Sequence, residues 1–125
     1  PATAVRQPDG GFRVTGESTF LSGCWNADWC FMPAPEVEEG QDIRHADMST
    51  MRMRFMHRSE WEIVETWDVA GIRGSGSDTV RANSSLVRPE HAAVDLVEMP
   101  PLYDNPVFRI PIPLRLSYNK VAIAL

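Results

Sequence analysis

The hydrophobic positions fall in short alternating runs. Residues 11–15 set Phe12 and Val14 against Arg13 and Thr15, directly after Asp9-Gly10-Gly11. Period-two alternation entered from a Gly-rich turn predicts a half-buried strand. Residues 27–33 (ADWCFMP) read as a second, apolar strand. Residues 49–57 alternate again, with Met51, Met53 and Phe55 on one side and Arg52, Arg54 and Met56 on the other. A methionine series of this kind reads as adaptable core. Residues 61–67 carry Trp61, Ile63, Glu65 and Trp67 on one face. Residues 79–87 set Val80, Ala82, Ser84 and Leu86 against Arg81, Asn83, Ser85 and Val87, and stop short of Pro89.

Prolines and charges mark what lies between these runs. Pro33, Pro35 and the acidic run Glu36, Glu38, Glu39 and Asp42 predict an exposed, solvated loop. Beyond Pro89, five prolines (Pro100, Pro101, Pro106, Pro111, Pro113) exclude regular helix or central strand over most of the stretch. The expected organisation is a β domain over residues 1–97, a Pro-rich surface connection over 98–114, and the start of a helix over 115–125. That helix ends on the apolar run VAIAL, so its hydrophobic side needs partners outside the sequence, and the chain is expected to be a piece of a larger protein. Five or six strands at short spacing with Gly-rich turns predict an all-β fold, an antiparallel sandwich or open barrel.

Composition narrows the function. With 43% hydrophobic and 23% charged residues among 125, the chain has the make-up of one ordinary soluble domain. A formal net charge of −5, with no Lys/Arg run, makes nucleic acid an unsuitable partner. No apolar stretch is long enough for a membrane span. Cys24 and Cys30 are six apart, a spacing that fits neither a CxxC redox pair nor a zinc site, so two reduced thiols and a cytoplasmic protein are expected. His45, His57 and His91 sit beside or near charged residues and read as surface groups. There is no G-x-G-x-x-G opening a helix, no P-loop and no G-x-S-x-G elbow. No catalytic constellation is self-contained in these residues, as expected of a wall domain that positions a cofactor.

Two stretches carry more than generic β-sheet: GFRVTGESTFLSGCWNADW (residues 11–29) and EIVETWDVAGIRGSGSDTVRANSSLVRPEH (residues 62–91). Their order and spacing resemble the middle domain of acyl-CoA dehydrogenase-like flavoenzymes. The W-x-V-x-G-I-R-G-S-G-S pattern from Trp67 resembles more specifically the oxygenase component of two-component flavin-dependent monooxygenases, which hydroxylate aromatic compounds. The resemblance implies FMN or FAD as cofactor, a separate flavin reductase as electron source, a small-molecule substrate, and a homo-oligomer, a tetramer.

By the same match, Phe20 and Ser22 in TFLSG fall where an aromatic ring and a hydroxyl lie against the flavin, the hydroxyl near N5, with Gly23 beside them. Without the resemblance, Phe20 reads as core and Ser22 as a turn hydroxyl. In GIRGSGSDT, Arg73, Ser75 and Ser77 offer donors on a glycine-rich loop. That loop could form an anion nest or a plain connection between strands. Ser18 and Arg88 depart from the family, which commonly carries tryptophan and an apolar residue there. Two other readings compete: an acyl-CoA dehydrogenase oxidising an acyl thioester, and a β-sandwich binding module without catalysis.

Overall fold

The computed structural model describes residues 1–92, which fall in one compact unit. The expected connection at 98–114 and helix at 115–125 lie outside the described residues. Six strands form: β1 (Thr3–Arg6), β2 (Phe12–Ser18), β3 (Trp29–Ala34), β4 (Arg52–His57), β5 (Glu62–Val64) and β6 (Thr79–Val87). One antiparallel sheet runs β1-β2-β6-β5, and β3 pairs with β4 in a second. Residues 35–37 leave β3 and pair in parallel with β1, through Ala4 N–H to Pro35 C=O (3.0 Å) and Val37 N–H to Ala4 C=O (3.0 Å). They cover the outer edge of the first sheet, which is the open-barrel solution to an exposed edge. Among the described residues the remaining regular structure is single 3₁₀ turns, and no helix is long and apolar enough to cross a membrane.

The core draws on both sheets: Ala4, Phe12, Val14, Met32, Ala34, Met56, Val80 and Val87 are all buried. Two readings of strand faces need correction. On β4 the inward side is Arg54 and Met56, while Met51, Met53 and Phe55 are half-buried. The arginine goes inside because three partners meet it there. Its guanidinium stacks 4.0 Å over the Phe12 ring, donates to the Ala92 carbonyl, and lies 3.4 Å from Glu36 Oε1. Glu36 also accepts from Arg6 at 2.8 Å, so the acidic run is not uniformly solvated.

On β6 the inward face is not the regular alternation expected. Pairing passes from Val14↔Ser85 to Gly16↔Ala82, so Thr15 on β2 faces both Asn83 and Ser84 on β6. This β-bulge turns the strand over: Val80 and Ala82 point in, then Ser85 and Val87. Ser84 takes the strained φ of +55°, with its N–H donating to Thr15 Oγ1 (3.2 Å) and its carbonyl accepting from Arg13 (3.0 Å). Opposite the bulge, Gly16 (φ +135°) lets Pro1 and Ala2, just before β1, approach so closely that a Cβ there would stand 2.4 Å from the Pro1 carbonyl oxygen.

The strand expected over 27–33 runs Trp29–Ala34, and the one over 49–57 starts at Arg52 because a 3₁₀ turn, Met48–Thr50, capped by Asp47 holds the preceding residues. The strand expected over 61–67 is only Glu62–Val64, because the amides of Thr66 and Trp67 turn away to Asp78. Strand β1 was not foreseen: its short TAVR pairs four residues of β2 across the Gly10 turn.

Candidate functional site

Topology brings the two motif stretches together. Because β2 and β6 are antiparallel neighbours with Ser18 opposite Val80, the loop leaving β2 and the loop entering β6 emerge from the same end of the sheet. They are then joined by backbone bonds, Leu21 N–H to Asp78 C=O (3.1 Å) and Gly23 N–H to Ser75 C=O (2.8 Å). Side chains add to the seam: Ser22 Oγ lies 2.8 Å from Ser77 Oγ, Ser77 Oγ lies 2.8 Å from Ser75 Oγ, and the Cys24 thiol donates to the Gly76 carbonyl (3.4 Å).

Asp78 is the hub of this seam. One carboxylate oxygen accepts from the indole N–H of Trp25 (2.7 Å); the other accepts from the amides of Thr66 and Trp67 (both 2.7 Å). These donors, the indole first, hold the Asp78 carboxyl below its usual range. The indole of Trp25 lies against Gly76, where a Cβ would meet its Cδ1 at 3.0 Å, so that glycine is needed for the close approach as well as for its φ of +49°. Neither Asp78 nor Trp25 was singled out from sequence. The available signal was an Asp placed between a Gly/Ser loop and an apolar strand, where short polar side chains cap backbone amides.

Of the residues expected to face a flavin, the structure gathers Phe20, Ser22, Gly23, Ser75 and Ser77, and sets Arg73 apart. Phe20 is 73% exposed and cannot be core. Its backbone is held at φ +62°, a costly conformation for an aromatic residue, and its ring meets Trp67 edge-on at 6.1 Å. Arg73 extends toward Asp68 (3.8 Å), both largely exposed. The amides of Ser75 and Gly76 donate to the carbonyls of Ile72 and Arg73 (3.1 and 3.2 Å), so these two are committed to the turn itself rather than to an anion. An open groove of about 670 Å³ adjoins the seam, with Trp25, Thr66, Trp67, Arg73 and Asp78 in its walls. Away from this end, His45 and His57 are exposed, while His91 is half-buried against Trp29 at 4.8 Å.

No protein-family model matches the chain. Individual relatives do. The chain is 35% identical over 83 residues to the flavin-dependent monooxygenase oxygenase subunit HsaA of Mycobacterium tuberculosis, covering 66% of this chain and 19% of that protein. It is 30% identical over 118 residues to HsaA of Rhodococcus jostii, covering 89% of this chain and 29% of that one. Among solved structures, HsaA from M. tuberculosis superposes with a TM-score of 0.62 at 33% identity, over 78% of this chain and 25% of that one. XiaF from Streptomyces sp., in complex with FADH2 and glycerol, superposes with a TM-score of 0.63 at 28% identity, over 81% and 26%. The chain therefore spans between a fifth and three tenths of the length of these proteins. Sequence and fold agree on one assignment: this β domain belongs with the oxygenase components of two-component flavin-dependent monooxygenases, which share the acyl-CoA dehydrogenase-like fold.

Proposed function

We propose that the full protein hydroxylates an aromatic or polycyclic substrate with O2 and reduced flavin, FMN or FAD, and that this domain forms one wall of the flavin site. The observation that carries the reading is the seam itself: two loops tied by five hydrogen bonds hold an exposed Phe20 in a strained backbone beside the hydroxyl of Ser22. A ring held out at conformational cost is what a planar ligand needs to rest on, and strain of this kind clusters at binding sites. Gly23 leaves the approach beside Ser22 open, since a Cβ there would touch nothing within 4 Å. Ser75 and Ser77 support Ser22 from behind, and Arg73 stands at the rim of the adjoining groove.

In the reaction, reduced flavin supplies two electrons, one oxygen atom enters the substrate as hydroxyl and the other leaves as water. The domain's part is to orient the ring and exclude water. A separate flavin reductase supplies the reduced cofactor, and the protein works as a homotetramer in the cytoplasm. The relatives' names support the reaction class: the set includes an FADH2-dependent resorcinol hydroxylase oxygenase component of Rhizobium sp..

The test is to supply the full protein with NADH, a flavin reductase, FMN or FAD, and a panel of phenols and fused aromatics under 18O2. Mass spectrometry should find one 18O in a hydroxylated product. Hydrogen peroxide as the sole product across the panel, with no binding of either flavin, overturns the proposal.

A further inference from the structure

The outer face of the β3–β4 pair is aromatic. Trp29 lies across from His57 and Phe31 across from Phe55, and cross-strand partners share a face, so these rings stand on the same side, turned away from the core. Trp29 is 47% exposed, yet its indole is held: the imidazoles of His57 and His91 meet it in edge contacts, with ring centroids 5.2 and 4.8 Å away. A cavity of about 400 Å³ opens beside this indole. Trp29, Phe55, His57 and His91 line it, and Leu86 and Arg88 close it at the far end of β6 from the seam. The volume is that of a small-molecule site, and its walls combine apolar rings with a few polar groups, as such sites do. Strand β6 runs nine residues between the two ends, about 25 Å, so no residue of the seam takes part.

Charge is unevenly placed in this cavity. The ion-pair contact of Arg88 among the described residues is to Glu90 at 3.9 Å, with 71% and 60% of the two side chains exposed. A pair that long and that open to water holds the guanidinium only weakly, and leaves its planar fork of donors for a carboxylate. One acid shares the wall: Glu60, whose Oε2 accepts from the amide of Leu86 (3.1 Å). Arg88 stands two residues further along the extended chain, roughly 7 Å away. An anion is therefore repelled at the Leu86 end and attracted at the Arg88 end, with aromatic surface between. We propose that this cavity binds a planar aromatic carboxylate, its ring against Trp29 and Phe55 and its carboxylate at Arg88. The opposed charges of Glu60 and Arg88 fix which way round the ligand lies. The site stands whether or not the seam faces a flavin.

The experiment is equilibrium dialysis of the full protein against benzoate and its neutral counterpart benzamide, for wild type, Arg88→Leu, Arg88→Lys and Trp29→Leu. Arg88 makes one weak contact, so its variants should fold as wild type does, which circular dichroism checks. A charge-assisted hydrogen bond, discounted for exposure, corresponds to roughly a three- to tenfold change in affinity, so Arg88→Leu should weaken benzoate by that factor and benzamide by less than about twofold. Arg88→Lys keeps the charge and should retain part of the preference for the acid. Trp29→Leu should weaken both ligands, since it removes the ring they share. Sites elsewhere in the protein contribute equally to wild type and variants, so the comparison isolates this cavity. Benzoate affinity unchanged by Arg88→Leu overturns the proposal, as does a wild-type protein that binds neither ligand at millimolar concentration. Equal losses of benzoate and benzamide in Arg88→Leu overturn the role given to the charge.

Discussion

Arg54 is fully buried, and the two ways of breaking its ion pair should differ in cost. Taking the acid away with Glu36→Gln leaves a guanidinium at 0% exposure facing a neutral amide. For a fully buried pair that costs about 3–5 kcal/mol. Here the Glu36 side chain is 27% exposed and the contact is 3.4 Å long. Water can therefore take part of the charge, and about 2–3 kcal/mol is the better figure. Taking the base away with Arg54→Met leaves Glu36 still paired to Arg6 at 2.8 Å. It forfeits the stacking on Phe12, worth about 2 kcal/mol, and leaves the Ala92 carbonyl without this donor, about 1–3 kcal/mol. Against that, it removes the desolvation of a buried charge and an Nε–H with no partner among the described residues. Those gains are of similar size, so the net cost should be near 1 kcal/mol. Urea unfolding followed by tryptophan fluorescence should thus place Glu36→Gln below Arg54→Met by about 1 kcal/mol or more. Arg6→Ala serves as the control for the exposed half of the network and should cost about 0–1 kcal/mol. If Arg54→Met proves as damaging as Glu36→Gln, the desolvation argument is wrong and Arg54 is held chiefly by its stacking.

Three further expectations follow from single positions. Gly16→Ala should lose about 2 kcal/mol or more, because the added methyl meets backbone of Pro1 and Ala2 and cannot be accommodated by a side-chain shift; differential scanning calorimetry reads this as a lower Tm. The lowered pKa of Asp78 gives stability that is fully present above the ordinary carboxylate range and is lost as pH falls through the folded value; Trp25→Phe removes the largest cause, so the acid transition in tryptophan fluorescence should move to higher pH, and an unmoved transition contradicts the hub role. Burial pushes the Cys30 thiol up to about 12, so it should resist a thiol reagent at pH 8 in the native state and react on unfolding; rapid native labelling of both cysteines argues against the packing.

Much of the sheet was legible because its strands obey a rule of period two, and β6 was located to the residue. What escaped were the places where a tertiary contact outweighs the local pattern. Arg54 sits where the pattern asks for methionine, since hydrophobicity alone cannot register a carboxylate eighteen residues away and an aromatic ring on another strand. The turnover of β6 is invisible for a related reason: Asn83-Ser84-Ser85 has no strong preference for either face, and the bulge lies beside Gly16, where the backbone of Pro1 and Ala2 passes close. Strand β1 is four residues long, too short for periodicity to distinguish it from an extended tail.

The site divides along the same line. The motifs TFLSG and RGSGS could be found as words, but that they meet depends on β2 and β6 being neighbours, which neither word contains. Once they meet, individual serines that could each be dismissed as turn residues join in one hydroxyl chain, from Ser22 through Ser77 to Ser75, that ties the two loops together. Asp78 has a comparable standing. Read along the chain it is one more acidic residue, yet its carboxylate joins a tryptophan from the first loop to two amides that would otherwise extend β5. Ending β5 early is what frees residues 65–78 to fold back over the end of the sheet. Trp67 can then meet Phe20, and the strained ring gains the neighbour that holds it outward. The short strand that pattern alone predicts as longer is therefore a condition for the candidate site, and the same carboxylate accounts for both.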